Sequence, residues 1–257
     1  MKKLLLASLI SICAISTFAQ TAKVIRFGVD PTFAPFESVD PQGKLVGLDI
    51  ELGDALCKKM KVTCEWVKID FDGSIPALKA KKIDGILSSM SVNEKRKKEV
   101  LFSTELYNSA SRMMLPKDRS LEPTLESLKG KKIGVVQGTT QAAFAKKHWQ
   151  GKGVNLVMYQ NDERARQDLA LGRVDATLQD EASAQSFFES AEGAKFHLSG
   201  KPADDISTLG SGTAIGLNHG DKELQAKINT AFKELRTSGA YDEMLKPYLK
   251  FGVIPPK

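Results

Sequence analysis

An α/β chain folded as two lobes is the class the sequence predicts. Three observations carry that prediction. Strand-like runs alternate with amphipathic helical stretches, the alternation restarts near the middle of the chain, and a ten-residue helix-turn-strand unit occurs twice. With 257 residues, 42% hydrophobic and 26% charged, there is apolar material for one large or two medium domains. The same balance, with only 3 Cys, excludes a disordered chain, a collagen, a coiled coil and a disulfide-rich miniature.

The elements follow in order. Val24 to Val29 reads as a buried strand. From Leu48 to Met60 the spacing predicts a helix, with Leu48, Leu52, Leu56 and Met60 on one stripe. Val62 to Val67 alternates as a strand, Val62, Cys64 and Trp66 sharing a face. Ser74 is expected to cap a helix with Pro76 in its first turn, running to about Lys81, and Ile83 to Leu87 forms a short strand. This β-α-β-α-β order is the pattern of a parallel sheet covered by helices. After Leu115 it restarts: strand Ile133 to Val136, helix Thr140 to Trp149, strand Val154 to Tyr159, helix Asp162 to Leu171, strand Asp175 to Leu178.

Residues Leu78 to Leu87 align with Leu169 to Leu178, each a helix end, a basic residue, an apolar-Asp-small turn and a strand. Both copies run into polar residues, Ser88-Ser89 in one and Gln179-Asp180 in the other. Ligands of parallel sheets sit at the carboxyl ends of the strands, so Ser88, Ser89 and Asp180 become candidate contacts from opposed lobes. The C-terminal part has a strand-like Thr213 to Leu217, a long amphipathic helix Lys222 to Thr237 and a helix Tyr241 to Tyr248, without a further βαβ unit. If it completes the first lobe, the chain crosses between lobes twice, near Asn108 to Arg112 and Asp205 to Gly212, and two crossings make a hinge. The expected division is residues 20–109 and 211–257 in one lobe and 110–210 in the other.

Residues 1–19 read as an export signal. Lys2 and Lys3 precede an apolar run from Leu4 to Ile15, and Thr17-Phe18-Ala19 places small residues where a signal peptidase reads them. Cys13 would suggest a lipid anchor, but Ile12 precedes it where a small residue is needed. Loss of Lys2 and Lys3 lowers the formal charge from +6 to +4. The basic runs Lys79 to Lys82, Lys95 to Lys98 and Lys129 to Lys132 are separated and lack an aromatic-rich stripe, so nucleic acid is not an expected partner. In an oxidising compartment Cys57 and Cys64 are expected to form a disulfide. No His lies near them to complete a metal site, and neither a metal nor a cofactor is expected.

Several separated motifs occur in one order: Gly28-Val29-Asp30-Pro31-Thr32-Phe33-Ala34-Pro35-Phe36, Gly47-Leu48-Asp49-Ile50-Glu51-Leu52, the cysteine pair, Asp70-Phe71-Asp72 with Ile75-Pro76-Ala77-Leu78, Ser88-Ser89-Met90-Ser91 with Arg96, and Val136-Gln137-Gly138-Thr139-Thr140-Gln141. Together they resemble the periplasmic binding proteins of polar amino-acid ABC transporters, in particular the lysine/arginine/ornithine- and histidine-binding members. The resemblance spans the chain after the signal. It implies a type II periplasmic-binding-protein fold, two α/β lobes joined by a two-segment hinge, that closes on one free L-amino acid and delivers it to an ABC permease. A monomer is expected.

A free amino acid is a zwitterion, so its cleft needs a cation for the carboxylate and an anion for the ammonium. By the resemblance Arg96 takes the carboxylate, a role its forked guanidinium suits. Thr139 and Thr140 open a helix whose free N–H groups favour the same carboxylate, although such residues are more often plain caps. Asp180 matches the ammonium partner, with Ser91 as second acceptor. Phe33 and Phe71 match the rings that sandwich the side chain, and Asp30 lies where a carboxylate meets its distal end. Ser88, Ser89, Val136, Gln137 and Gln141 complete the lining. Asp30 argues for a cationic ligand, yet glutamine-binding relatives also carry an Asp there. A closely similar member would have Tyr where this chain has Phe33, which tilts the expectation from lysine toward arginine. The fold also hosts periplasmic dehydratases, for which Glu37 and Asp180 are the available acids. His148, His197 and His219 are dispersed, and no nucleophile triad or HExxH pattern occurs, so an enzyme is not expected.

Overall fold

A computed structural model describes residues 23–256, so the expected signal segment lies outside the described residues. The strand Val24–Val29 lies one place in from the edge of the first sheet, flanked in parallel by Thr63–Lys68 and Gly85–Ile86. Gly216–Leu217 joins Gly85–Ile86 antiparallel, and Leu101–Phe102 closes the edge. The C-terminal part therefore returns to the first sheet. A second sheet has the order Asn155–Tyr159, Lys132–Val136, Ala176–Asp180, Ser111–Pro116, Phe196–Ser199. Its first three strands are parallel and its last two run against their neighbours. Both sheets are thus mixed, where the βαβ pattern alone predicted parallel ones.

The helix Leu48–Met60 buries Leu48, Leu52 and Leu56 completely on the stripe its spacing predicts. Asp49 and Glu51 lie in its first turn and Lys58 and Lys59 in its last, matching the helix dipole at both ends. It packs on helix Lys222–Thr237, whose Ile228, Phe232 and Leu235 face the same core. The Cys57–Cys64 disulfide ties the end of helix Leu48–Met60 to the start of Thr63–Lys68. In the second lobe Leu115, Ile133, Val135 and Trp149 form the corresponding core.

Ser74 does not cap its helix. It is the first residue of Ser74–Lys79, entered directly from a 3-10 turn at Phe71–Gly73, so its hydroxyl has no cap to make. The strand expected from Ile83 shortens to Gly85–Ile86 because Asp84 is drawn onto Arg26, its carboxylate 2.9 Å from the guanidinium and its N–H bonded to the Arg26 carbonyl. A small sheet of Thr32–Phe33, Glu37–Val39 and Leu45–Val46 was not anticipated. The chain leaves the first sheet between Phe102 and Ser111 and returns between Ser199 and Gly216. On the way out Asn108 pairs with Ile254, and on the way back Ser211 and Gly212 bond the backbone of Val92.

Candidate ligand-binding cleft

Asp30, Ser88, Val136 and Asp180 all stand at or just beyond the carboxyl ends of strands. The two sheets point these ends at one another across a cavity of about 250 Å3. Twelve of the thirteen candidate residues line it: Asp30, Phe33, Phe71, Ser88, Ser89, Ser91 and Arg96 from one side, Val136, Thr139, Thr140, Gln141 and Asp180 from the other. Gln137 does not. It is exposed, its N–H bonded to the Tyr159 carbonyl.

Arg96 belongs to a basic run, but a single helical turn, Glu94–Lys97, sorts that run by direction. The Asn93 side chain caps the turn by accepting from Arg96 N at 2.9 Å. Lys95, Lys97 and Lys98 are exposed while Arg96 is only 7% exposed. Its guanidinium donates to the carbonyls of Ser91 at 2.9 Å and Gly138 at 3.0 Å, and lies 5.3 Å from the Phe71 ring centroid. Two of its five N–H donors are so engaged. No carboxylate pairs with it among the described residues, and burial lowers it to about 10. It stays charged at neutral pH, a desolvated cation whose partners are carbonyls and a ring.

Opposite Arg96, Thr139 is the N-cap of helix Thr140–His148. Its hydroxyl accepts from Ala142 N at 3.1 Å and donates to the Val136 carbonyl at 2.7 Å. Thr139 is therefore both a cap and part of the cleft wall. Gln141 donates to Ser111 Oγ at 3.0 Å. Asp180 has the same double character. Its Oδ1 caps helix Glu181–Phe188 by accepting from Ser183 N at 3.1 Å, and also accepts from Ser109 Oγ at 2.9 Å. Burial at the base of the cleft pushes the carboxyl up to about 7.

The far end is acidic. Asp30 is 6% exposed and held by Thr32 N, Thr32 Oγ1 and Phe71 N at 3.1, 2.7 and 3.3 Å. Burial raises it despite these donors. Phe33 stacks on Phe36 at 5.5 Å, and Phe36 on Tyr107 at 5.1 Å. Ser89 adopts a left-handed φ of 48°, which aims its N–H at Asp49 Oδ2, 2.7 Å away. Asp162, Asp204 and Asp205 also line the cavity without having been expected there, as does Glu37, which the sequence offers only as an acid for the dehydratase alternative. Glu37 lies in a three-residue strand, too short to show alternation, and Asp162 reads as a first-turn helix acid. Asp205 is engaged at the rim by Lys147 at 2.7 Å and His148 at 2.8 Å.

The lobes touch around the cavity. Beyond the Arg96–Gly138 bond, Gln160 Nε2 donates to Asp70 Oδ2 at 2.7 Å. Gly138 has φ +75°, and a Cβ there would lie 2.9 Å from the Asp72 Cα. Glycine is required by both conformation and approach.

Residues 25–251 match the bacterial extracellular solute-binding proteins, family 3. The chain belongs to this family. It is 47% identical over 241 residues to the lysine/arginine/ornithine-binding periplasmic protein of Escherichia coli (strain K12), covering 93% of each. To the histidine-binding periplasmic protein of the same strain it is 44% identical over 257 residues, covering 98% of this chain and 99% of that one. Among solved structures, an ancestral arginine-binding protein bound to arginine matches with a TM-score of 0.81 and 36% identity, over 88% of this chain and 97% of that one. The fold of this family 3 protein is the type II periplasmic-binding-protein fold, two mixed α/β lobes facing across the cleft. No helix among its described residues is long and apolar enough to cross a membrane.

Proposed function

We propose that this family 3 protein captures one cationic L-amino acid, arginine, lysine, ornithine or histidine, and hands it to an ABC permease from the periplasm. The observation that carries this reading is the cleft's charge order. A single buried cation without a carboxylate partner, Arg96, stands at one end, and buried acids without a cationic partner, Asp30 and Glu37, stand at the other. A cationic amino acid presents the complementary pattern. Its carboxylate meets Arg96 and the N–H groups at the start of helix Thr140–His148. Its ammonium meets Asp180 with Ser91 beside it, its side chain lies between Phe33 and Phe71, and its distal cation reaches Asp30. Ser88, Ser89 and Gln141 add polar contacts and Val136 an apolar wall. Two rings suit a planar guanidinium, so arginine is favoured. The crossings near 108–112 and 205–212 serve as the hinge between a lobe of residues 20–109 and 211–257 and a lobe of residues 110–210, residues 1–19 direct export, and the protein works as a monomer.

Native mass spectrometry after incubation with an equimolar mixture of L-amino acids tests this. The protein should retain one basic amino acid, and the released ligand should be chemically unchanged. Retention of glutamine alone would overturn the cationic assignment, and a product formed at a catalytic rate would revive the dehydratase reading.

A further inference from the structure

Glu37 lines the cleft yet is fully buried, and a second fully buried acid, Asp49, lies beside it. Glu37 Oε1 accepts from Ser88 Oγ at 2.7 Å, and that hydroxyl accepts from the Asp30 N–H at 3.0 Å. Asp49 accepts from Tyr107 OH at 2.7 Å on one oxygen and Ser89 N at 2.7 Å on the other. Ser89 Oγ bridges the two sides, 2.8 Å from Tyr107 OH and 3.5 Å from Glu37 Oε2.

No lysine, arginine or histidine among the described residues bonds or ion-pairs with Glu37, Asp49 or Asp30. The charged and titratable groups facing Glu37 are Asp49 from helix Leu48–Met60, Asp30 beyond strand Val24–Val29, and Tyr107 from the segment leaving the first lobe. All are acids. Arg96 is committed to Ser91 and Gly138. Two adjacent carboxylates in a dry site do not both ionise, so they hold a proton between them. Asp49 sits in the first turn of its helix, where the dipole favours negative charge, and accepts two good hydrogen bonds. That leaves the proton on Glu37. Burial, reinforced by the negative charge of Asp49, drives Glu37 well above the ordinary carboxyl range, whereas Asp49 is raised only to about 6.

We infer that Glu37 is a second distal acid of the cleft, and that it exchanges its proton for the cation of the ligand side chain. The inference rests on the proposed capture of a cationic amino acid. In the unliganded protein Glu37 is a neutral acid hydrogen-bonded toward Asp49. When a guanidinium or ammonium enters beside Asp30, Glu37 ionises against it and the proton goes to solvent. A neutral side chain leaves that proton in place. Cationic ligands are selected because only they supply the charge that a Glu37–Asp49 dianion needs.

Calorimetric titration at pH 7 in buffers of different ionisation enthalpy counts the protons released. L-Arginine and its neutral isostere L-citrulline are titrated into wild type, Glu37→Gln and Asp49→Asn. Arginine should release more protons than citrulline from wild type, the excess approaching one. Glu37→Gln should abolish that excess and weaken arginine at least tenfold while changing citrulline less than threefold. Asp49→Asn should also reduce the release, because Glu37 then holds its proton less tightly, but without weakening arginine. The contrast between the two affinity effects separates proton exchange from general damage to the site, even if one variant folds poorly. Equal release from wild type and Glu37→Gln, or unchanged arginine affinity in Glu37→Gln, would overturn the inference. If wild type binds citrulline or glutamine but no basic amino acid, the underlying functional reading fails and this one falls with it.

Discussion

In the proposed complex two charges at opposite ends of the cleft divide the work of recognition, and their substitutions should separate. Arg96 would there contact what every amino acid carries, so Arg96→Ala should weaken all ligands by roughly 3 kcal/mol or more, about a hundredfold, because a buried charge-assisted pair is lost. Asp30 faces the variable end. Asp30→Asn should weaken arginine and lysine strongly and leave a neutral amino acid nearly unchanged, as titration calorimetry can establish. Retained binding in Arg96→Ala contradicts the carboxylate assignment. Asp180 adds a pH dependence. Its carboxyl is pushed up to about 7 by burial, and only the ionised form pairs with an ammonium. Affinity should therefore rise as the pH goes from 5 to 7. The unliganded protein should show the opposite trend, losing stability as the pH rises from about 4 to about 7, because the folded state keeps a proton that the unfolded chain has released. Asp180→Asn should reduce that trend, measured by denaturant unfolding at several pH values, and the part that remains belongs to Asp30, Glu37 and Asp49, which burial raises in the same direction.

At the scale of elements, the turn Glu94–Lys97 shows what was and was not legible. A run of Lys-Arg-Lys-Lys reads as a solvated face, and only the Asn93 cap and the helical turn put Arg96 inward and its neighbours outward. The motif order pointed to Arg96, whereas the composition pointed away from it. Helices Leu48–Met60 and Lys222–Thr237 have the predicted bounds because several turns of apolar periodicity outweigh local noise. Ser111–Pro116 and Phe196–Ser199 escaped notice because their partners are distant in sequence, the six residues of the first show no alternation, and the four of the second are too few to establish a period. The missed part of the site follows from the same limit: Glu37 is defined by Asp49, Ser88 and Tyr107, all brought to it by tertiary folding. The disulfide was legible from compartment and spacing. Replacing both Cys57 and Cys64 by Ser should cost about 2.5 kcal/mol of stability by the loop-entropy relation, read from urea midpoints. Gly138→Ala adds strain at a left-handed φ, which should lower the melting temperature of the unliganded protein by a few degrees, and a contact against the opposite lobe, which should weaken ligand affinity about tenfold.

For the whole molecule, net charge was a poor guide. The chain is formally +6, yet its cleft is lined by six acidic residues and one arginine. The positive balance is carried outside the cleft, on lysines such as Lys95, Lys97 and Lys98. The duplicated helix-turn-strand unit has a structural meaning too, since its two copies lead into Ser88 and Asp180 on facing sheets. Binding across two lobes links ligand affinity to the stability of the closed form, which makes unfolding a direct readout. A thermal-unfolding screen against the common L-amino acids and L-ornithine is the decisive measurement. Ligand at about 1,000 times its Kd adds roughly 4 kcal/mol, so arginine, lysine, ornithine or histidine should raise the transition by several degrees while acidic and aliphatic amino acids leave it unmoved. A shift with glutamine and none with any basic amino acid would contradict the account.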